Sequence, residues 1–317
     1  MLFQSTLKNT RNRSVVAILH FAWFGFLACF TSSVYAEKEL SHTLTSLKGD
    51  AVVVSDLVGK KPIYLKFWAS WCKPCMKEMP HLQHSYEEYS EDIHILAVNI
   101  DLNETDQDIQ NVVERYGLTL PIYKDDEGQL ARALNFVGTP YHVLLDTDGD
   151  VVHQGHTADA DLDRKMSLIA KQSAGQLPVI ELSDDSGQSL SISDYSDKQI
   201  LYFTATWCDW YLRDSRPNVA KDCIDGQKRI NDLSLEHKEL GWRVLTSHLW
   251  TGNKDISDYI DKFKVQQPVY VDVKGDAFFT FKVKSMPTLI LLHKGKVWAR
   301  SKDVNQFDNL VQRFVQL

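Results

Sequence analysis

Residues 63–80 read IYLKFWASWCKPCMKEMP. The first six form an apolar run of the kind that makes a buried strand. Two cysteines follow at once, with two residues between them, and a helix is expected to start there. At a helix start, Cys72 lies among backbone N–H groups that lack intrahelical partners, at the positive end of the helix dipole. That setting favours the thiolate, which is the nucleophile. Cys75 sits one turn further on, close enough to close a disulfide. Cys72 is therefore expected to attack, and Cys75 to resolve the mixed disulfide. Half of a zinc site and a purely structural disulfide are the alternatives. Structural zinc takes four Cys or His ligands in two spaced pairs, and no second Cys-x-x-Cys exists in the chain.

The same layout occurs twice. Residues 55–75 read SDLVGKKPIYLKFWASWCKPC, and residues 193–211 read SDYSDKQILYFTATWCDWY. Downstream, PIYKDDEG at 121–128 matches PVYVDVKG at 268–275. Pro121 precedes Pro140 by 19 residues, and Pro268 precedes Pro287 by 19. Each later proline leads into an apolar strand and a glycine turn, YHVLLDTDG at 141–149 and TLILLHKG at 288–295. Landmarks matched in order mark an internal repeat. Each half is predicted to run strand, long helix, strand, helix, two-strand hairpin, last helix. The intervening strands fall at 93–101 and 242–251, with helices at 106–116, 255–263, 161–173 and 304–315. Small polar residues at 173–176 mark the boundary.

The stretch FWASWCKPCMKEMP at 67–80 closely resembles the TlpA/ResA group of exported thioredoxin-like oxidoreductases. The resemblance continues through AVNIDLNE at 97–104, RYG at 115–117, PIYKDDEG and VGTPYHVLLDTDGDVV at 137–152, and covers roughly residues 40–170. Together with the internal repeat, it implies an α/β architecture of two tandem thioredoxin-like domains, each a central mixed sheet flanked by helices. Residues 37–173 form the redox-active domain and 174–317 a degenerate copy. In such proteins the proline of Gly-Thr-Pro is cis and faces the disulfide. That role falls to Pro140, with Thr139 offering its backbone to a substrate strand. Trp71, Lys73 and Pro74 complete the expected substrate face. The resemblance also assigns Glu78 a place beside the thiols, where its charge raises a thiol pKa or relays a proton. Lys66 stands six residues before Cys72, where thioredoxin itself carries a buried acid. It either turns into the core beside the thiols or, in the simpler reading, carries its ammonium out to solvent. Pro80 is expected to kink the helix.

In the second half, Tyr211 occupies the place of the resolving cysteine. Cys208 cannot run a dithiol mechanism with a tyrosine, although Met286-Pro287-Thr288 keeps the cis-proline signature. Cys223 follows Cys208 by 15 residues, about 22 Å along one straight helix and too far for a bridge. Pro217 should break that helix, so a Cys208–Cys223 structural disulfide is expected. Otherwise two free thiols remain, and Cys208 stays a nucleophile with a distant partner.

The N-terminus reads as an export signal over residues 1–36. Lys8, Arg11 and Arg13 form a basic start, Val15 to Phe30 an apolar stretch, and Ser33-Val34-Tyr35-Ala36 a cleavage site. A membrane anchor and a lipoprotein site at Cys29 are the alternatives. Export places the protein in the periplasm, where disulfides persist, and leaves four cysteines, an even number. The whole chain carries a formal charge of −7. Without the leader, 32 basic residues face 42 acidic ones, a balance of −10 that argues against nucleic acid as a partner. His81, His84, His153 and His156 invite a copper site, but the chain has 11 histidines and a surface role explains them. His142 lies two residues after Pro140 and could approach the active centre. No cofactor is implied. The resemblance implies disulfide-bearing protein substrates, a reductive direction and a membrane-bound electron donor. An oxidase or isomerase shares every residue cited. A metal-handling protein and a non-enzymatic docking module are rivals from other classes.

Overall fold

A computed structural model describes residues 40–184, 189–192 and 197–317. The export signal, Cys29 and the Ser193-Asp194 landmark lie outside the described residues. The chain divides into two compact units. One takes the residues up to Gln83 together with Ile95–Thr157, and the other takes His84–His94 together with Ala158–Leu317.

The first sheet is built from β1 (Thr43–Ser46), β2 (Ala51–Val53), β3 (Ile63–Trp68), β4 (His94–Asn99), β5 (Ile122–Lys124), β6 (Tyr141–Leu145) and β7 (Val151–Gly155). Between them run α1 (Lys73–Tyr89), α2 (Asp106–Tyr116) and α3 (Gln129–Ala133). The strand order is β2-β1-β5-β4-β3-β6-β7. Every residue of β3 and β6 is buried, as expected of strands covered on both faces. Ile63, Leu65 and Phe67 alternate into one core cluster with Leu96, Val98, Val143 and Leu145. β6 runs antiparallel to β3, pairing Phe67 with Tyr141 and Lys66 with His142. That register puts the turn after β3 and the loop before β6 at the same end of the sheet. α2 starts where Thr105 and Asp108 cap each other's backbone, and ends at Gly117 in the left-handed region, φ 59°. α1 continues through Pro80 without losing its helical assignment.

The second unit holds α4 (Ala160–Ser173), followed by β8 (Glu181–Ser183), β9 (Ser189–Ser191), β10 (Lys198–Thr204), α5 (Cys208–Tyr211) and α6 (Pro217–Glu236). Then come β11 (Gly241–Ser247), α7 (Asn253–Phe263), β12 (Val269–Asp272), α8 (Asp276–Thr280), β13 (Thr288–His293), β14 (Lys296–Ser301) and α9 (Phe307–Val315). Its strand order is β14-β13-β10-β11-β12-β8-β9. Read from β7, the first sheet has the same order position by position. The senses agree too: β11–β12 and β4–β5 are parallel, while β10–β13 and β3–β6 are antiparallel. β10 alternates between two cores, Ile200 and Tyr202 facing one and Leu201 and Phe203 the other. Gly226 brings α6 close to β10, since a β-carbon there would stand 2.6 Å from the Tyr202 hydroxyl.

Each sheet has more elements than the sequence reading named. β1–β2, β8–β9, β5 and β12 are only 3–4 residues long, too short for a period of two to show. The long helix expected from Cys208 is two helices. Proline at the first position of α6 allows a fresh start there, and residues 212–216 turn the chain.

Candidate active site

The strand end and helix start of the first unit hold Cys72 and Cys75 as a disulfide, with Cα atoms 5.3 Å apart. The Cys72 amide donates to the Ala69 carbonyl at 3.1 Å, closing the turn that delivers the chain into α1. The Cys75 amide in turn donates to the Cys72 sulfur at 3.2 Å. That bond shows how the first turn of a helix supports negative charge on Cys72. Cys72 retains 4% exposure and Cys75 none, so an incoming sulfur meets Cys72 first. Trp71 is half exposed, and its indole N–H donates to the Leu102 carbonyl at 2.8 Å, which fixes the ring beside the disulfide turn. Lys73 and Pro74 are exposed. The Thr139–Pro140 bond is cis, and the β3–β6 register carries this loop to the same end of the sheet as the cysteines. His156 Nδ1 lies 2.8 Å from the Pro140 carbonyl oxygen and donates to it.

Behind the disulfide turn lies a buried polar group of four. Glu78, three residues after Cys75, brings one carboxylate oxygen to Lys66 Nζ at 2.5 Å and to His142 Nε2 at 3.1 Å. His142 Nδ1 is 2.7 Å from the Tyr64 hydroxyl. A carboxylate only accepts, so Nε2 carries the proton and Nδ1 accepts from Tyr64. Lys66, His142 and Tyr64 are fully buried, and Glu78 keeps 17% of its side chain exposed. Burial pushes the Lys66 ammonium below its ordinary pKa, against the pull of Glu78. It likewise lowers His142, again opposed by Glu78 and helped by the charge of Lys66.

The simpler reading of Lys66 is thus corrected. A lysine at mid-strand in a sheet covered on both faces has no route to solvent, and Glu78 meets it inside. His142 is its cross-strand partner, and Tyr64 lies two residues back on the same face. A lone lysine in an apolar run and a histidine just after the Gly-Thr-Pro were the signals in the sequence. Pairing them needed the register. Of the other histidines, His84 pairs with Glu88 at 3.4 Å, and His153 is buried in β7. Among the described residues, no three His, Cys, Asp or Glu side chains are grouped as metal ligands.

In the second unit, Cys208 and Cys223 are joined as a disulfide with Cα atoms 6.1 Å apart, both sulfurs inside a cluster with Ala205 and Trp207. α6 folds back from Pro217 to bring Cys223 to the start of α5. Tyr211 stands exposed at the end of α5. The Met286–Pro287 bond is cis.

A buried cis-proline at the same sheet end as a strand–Cys-x-x-Cys–helix turn is the arrangement of the thioredoxin-like class, and comparison with known proteins agrees. Residues 37–154 match the AhpC/TSA family. The chain is similar to the thiol-disulfide oxidoreductase ResA of Bacillus thuringiensis subsp. konkukian, 36% identical over 112 residues, 35% of this chain and 63% of that protein. ResA of Halalkalibacterium halodurans is 32% identical over 157 residues, 49% of this chain and 88% of the relative. ResA of Geobacillus kaustophilus is 37% identical over 129 residues, 40% and 72% respectively. The chain therefore spans less than two thirds of the first relative and most of the other two. StoA from Bacillus subtilis aligns with a TM-score of 0.36 and 24% identity, over 40% of this chain and 95% of that one. The chain belongs to the ResA family of thioredoxin-like thiol-disulfide oxidoreductases.

Proposed function

We propose that this chain is an exported enzyme that reduces disulfides in protein substrates through Cys72 and Cys75. The observation that carries the reading is the disulfide at the start of α1, with Cys72 keeping a small exposure, Cys75 fully buried, and Glu78 one turn along the helix. In the reduced enzyme, the Cys72 thiolate attacks one sulfur of a substrate disulfide. The substrate S–S bond breaks, a mixed disulfide forms, and one substrate thiolate leaves. Cys75 then loses its proton and attacks the Cys72 sulfur. The Cys72–Cys75 bond forms, the second substrate thiolate leaves, and two electrons have passed to the substrate. Glu78 is the group placed to take the Cys75 proton. Lys66 and His142 hold its carboxylate in position, and Tyr64 holds His142. Thr139 and Pro140, with Trp71, Lys73 and Pro74, form the face that receives the substrate strand.

The oxidised enzyme must be recharged, and family resemblance supports a membrane-bound donor outside the cytosol. The basic and apolar pattern of residues 1–36 supports export to the periplasm. The matched strand orders and the second cis-proline support a degenerate thioredoxin-like domain over 174–317. In that domain Cys208–Cys223 is a structural staple, and the domain shapes substrate choice.

Reduction potential tests the direction. The protein is equilibrated with thiol buffers, and free Cys72 and Cys75 are counted by alkylation. A value near or below about −230 mV supports the reductant, and a value near about −120 mV marks an oxidant and overturns the reductive reading.

A further inference from the structure

The turn around Cys208 carries an aromatic surface that disulfide exchange does not use. Trp207 meets Trp250 at 5.4 Å between ring centroids, Tyr211 meets Trp250 at 5.1 Å, and Trp210 meets Tyr211 at 5.9 Å. Trp210, Tyr211 and Trp250 are each more than half exposed, at 56%, 53% and 68%. Isolated apolar side chains at a surface are ordinary, but a contiguous aromatic group marks a binding site. Trp250 also holds a left-handed backbone, φ 50°, which a bulky residue adopts only where its surroundings enforce it.

Trp210 and Trp250 line a cleft of about 310 Å³ together with Asp255 and Asp258 of α7. Lys262 lines it as well, but its ammonium is bound to the buried carboxylate of Asp209. Asp258 pairs with Lys254 at 2.6 Å, an exposed pair that water screens and that a better partner can displace. Asp255 accepts the Gly252 amide at 2.8 Å through one oxygen. Indole rings and carboxylates lining one cleft suit a flat cation. Guanidinium stacks on an aromatic face and reaches a carboxylate with two parallel N–H groups, which an ammonium cannot do.

We propose that this cleft binds an arginine side chain of an extended polypeptide. The volume admits a side chain and excludes a folded domain. Trp210 and Trp250 stack on the guanidinium, and Asp255 and Asp258 receive its N–H groups. The second unit thereby holds a polypeptide without a covalent bond, a function separate from exchange at Cys72.

The test uses the full-length protein and two blocked pentapeptides, Gly-Ser-Arg-Ser-Gly and its citrulline counterpart, which keeps the shape and loses the charge. Binding is read from the indole N–H resonances in ¹⁵N–¹H NMR spectra. The arginine peptide is expected to shift the Trp210 and Trp250 signals and to bind at least about fivefold more tightly than the citrulline peptide. Trp210→Ala should weaken it about fivefold, with Trp210→Phe recovering part of the loss, and Asp258→Asn about twofold. Cys72→Ser should leave it unchanged, so this idea and the exchange reading fail independently. Equal binding of the two peptides, shifts confined to other tryptophans, or a folded Trp210→Ala protein with undiminished affinity would each overturn the proposal.

Discussion

The turns around Cys72 and Cys208 share a backbone and differ in chemistry. Both cysteine amides donate to an alanine carbonyl at 3.1 Å, Ala69 in one and Ala205 in the other. Both preceding tryptophans donate from the indole to a leucine carbonyl, Trp71 to Leu102 at 2.8 Å and Trp207 to Leu249 at 2.7 Å. Both sheets bring a cis-proline loop to the same end. The cross-strand pair Lys66–His142 corresponds to Tyr202–Leu289, so the polar pair under the first disulfide has a largely apolar counterpart. Cys75 corresponds to Tyr211. The comparison teaches that this scaffold is held by backbone hydrogen bonds and apolar layers. Its chemistry rests on a handful of side chains that the fold itself does not require.

The sharpest way to break the comparison is to remove one cysteine from each turn. Cys72→Ser should lower the rate of protein-disulfide reduction by about a thousandfold or more, because the nucleophile is gone. Cys208→Ser should leave that rate within about twofold. If both variants lose activity alike, the two turns are not chemically distinct.

A second test concerns stability. Replacing both Cys208 and Cys223 by alanine opens a loop of 15 residues and should cost about 3 kcal/mol in urea unfolding. Reduction at Cys72 should be unchanged. A loss much below 1 kcal/mol would argue that this bridge is no staple.

Third, Glu78→Gln leaves the Lys66 ammonium buried without its carboxylate. Breaking a buried pair costs about 3–5 kcal/mol. Glu78 is partly exposed, so about 2 kcal/mol is expected here, with exchange slowed about tenfold or more. The corresponding residue in the second unit is Asp214, which is exposed, and Tyr202 stands where the lysine would be, so Asp214→Asn should change stability little.

The smallest effect is a pH dependence. Burial holds the folded His142 pKa below 6.5, with Glu78, Lys66, Tyr64 and His81 around it. On acidification the unfolded chain takes up this proton first. Stability is therefore lost as pH falls from about 6.5 toward the folded value. Between pH 6.5 and 5.5, His142→Gln should lose less stability than the parent, by no more than about 1.4 kcal/mol.

Much of this was legible in sequence because it is local. A strand running into Cys-x-x-Cys and a helix, and a proline two elements later, can be read without knowing what touches what. Cys208–Cys223 was legible once Pro217 was taken as a helix break. Lys66 and His142 were visible as oddities, a cation and an imidazole in buried strands, yet their roles depend on strand register. The polar set around Glu78 joins residues 64, 66, 78 and 142, from three separate elements. No window of sequence contains that pairing. The tryptophans and aspartates that line the cleft, residues 210, 250, 255 and 258, escaped for the same reason.

The bridge between Cys208 and Cys223 also encloses residues 212–216, where Arg213 and Arg216 are exposed. A protease that cuts after Arg213 severs the chain inside its own clasp, whereas the bond after Arg216 is shielded by Pro217. The two pieces would travel together in a denaturing gel without reductant and separate once reductant is added. A cleaved copy would thus keep its parts tethered in an oxidising compartment and release them in a reducing one.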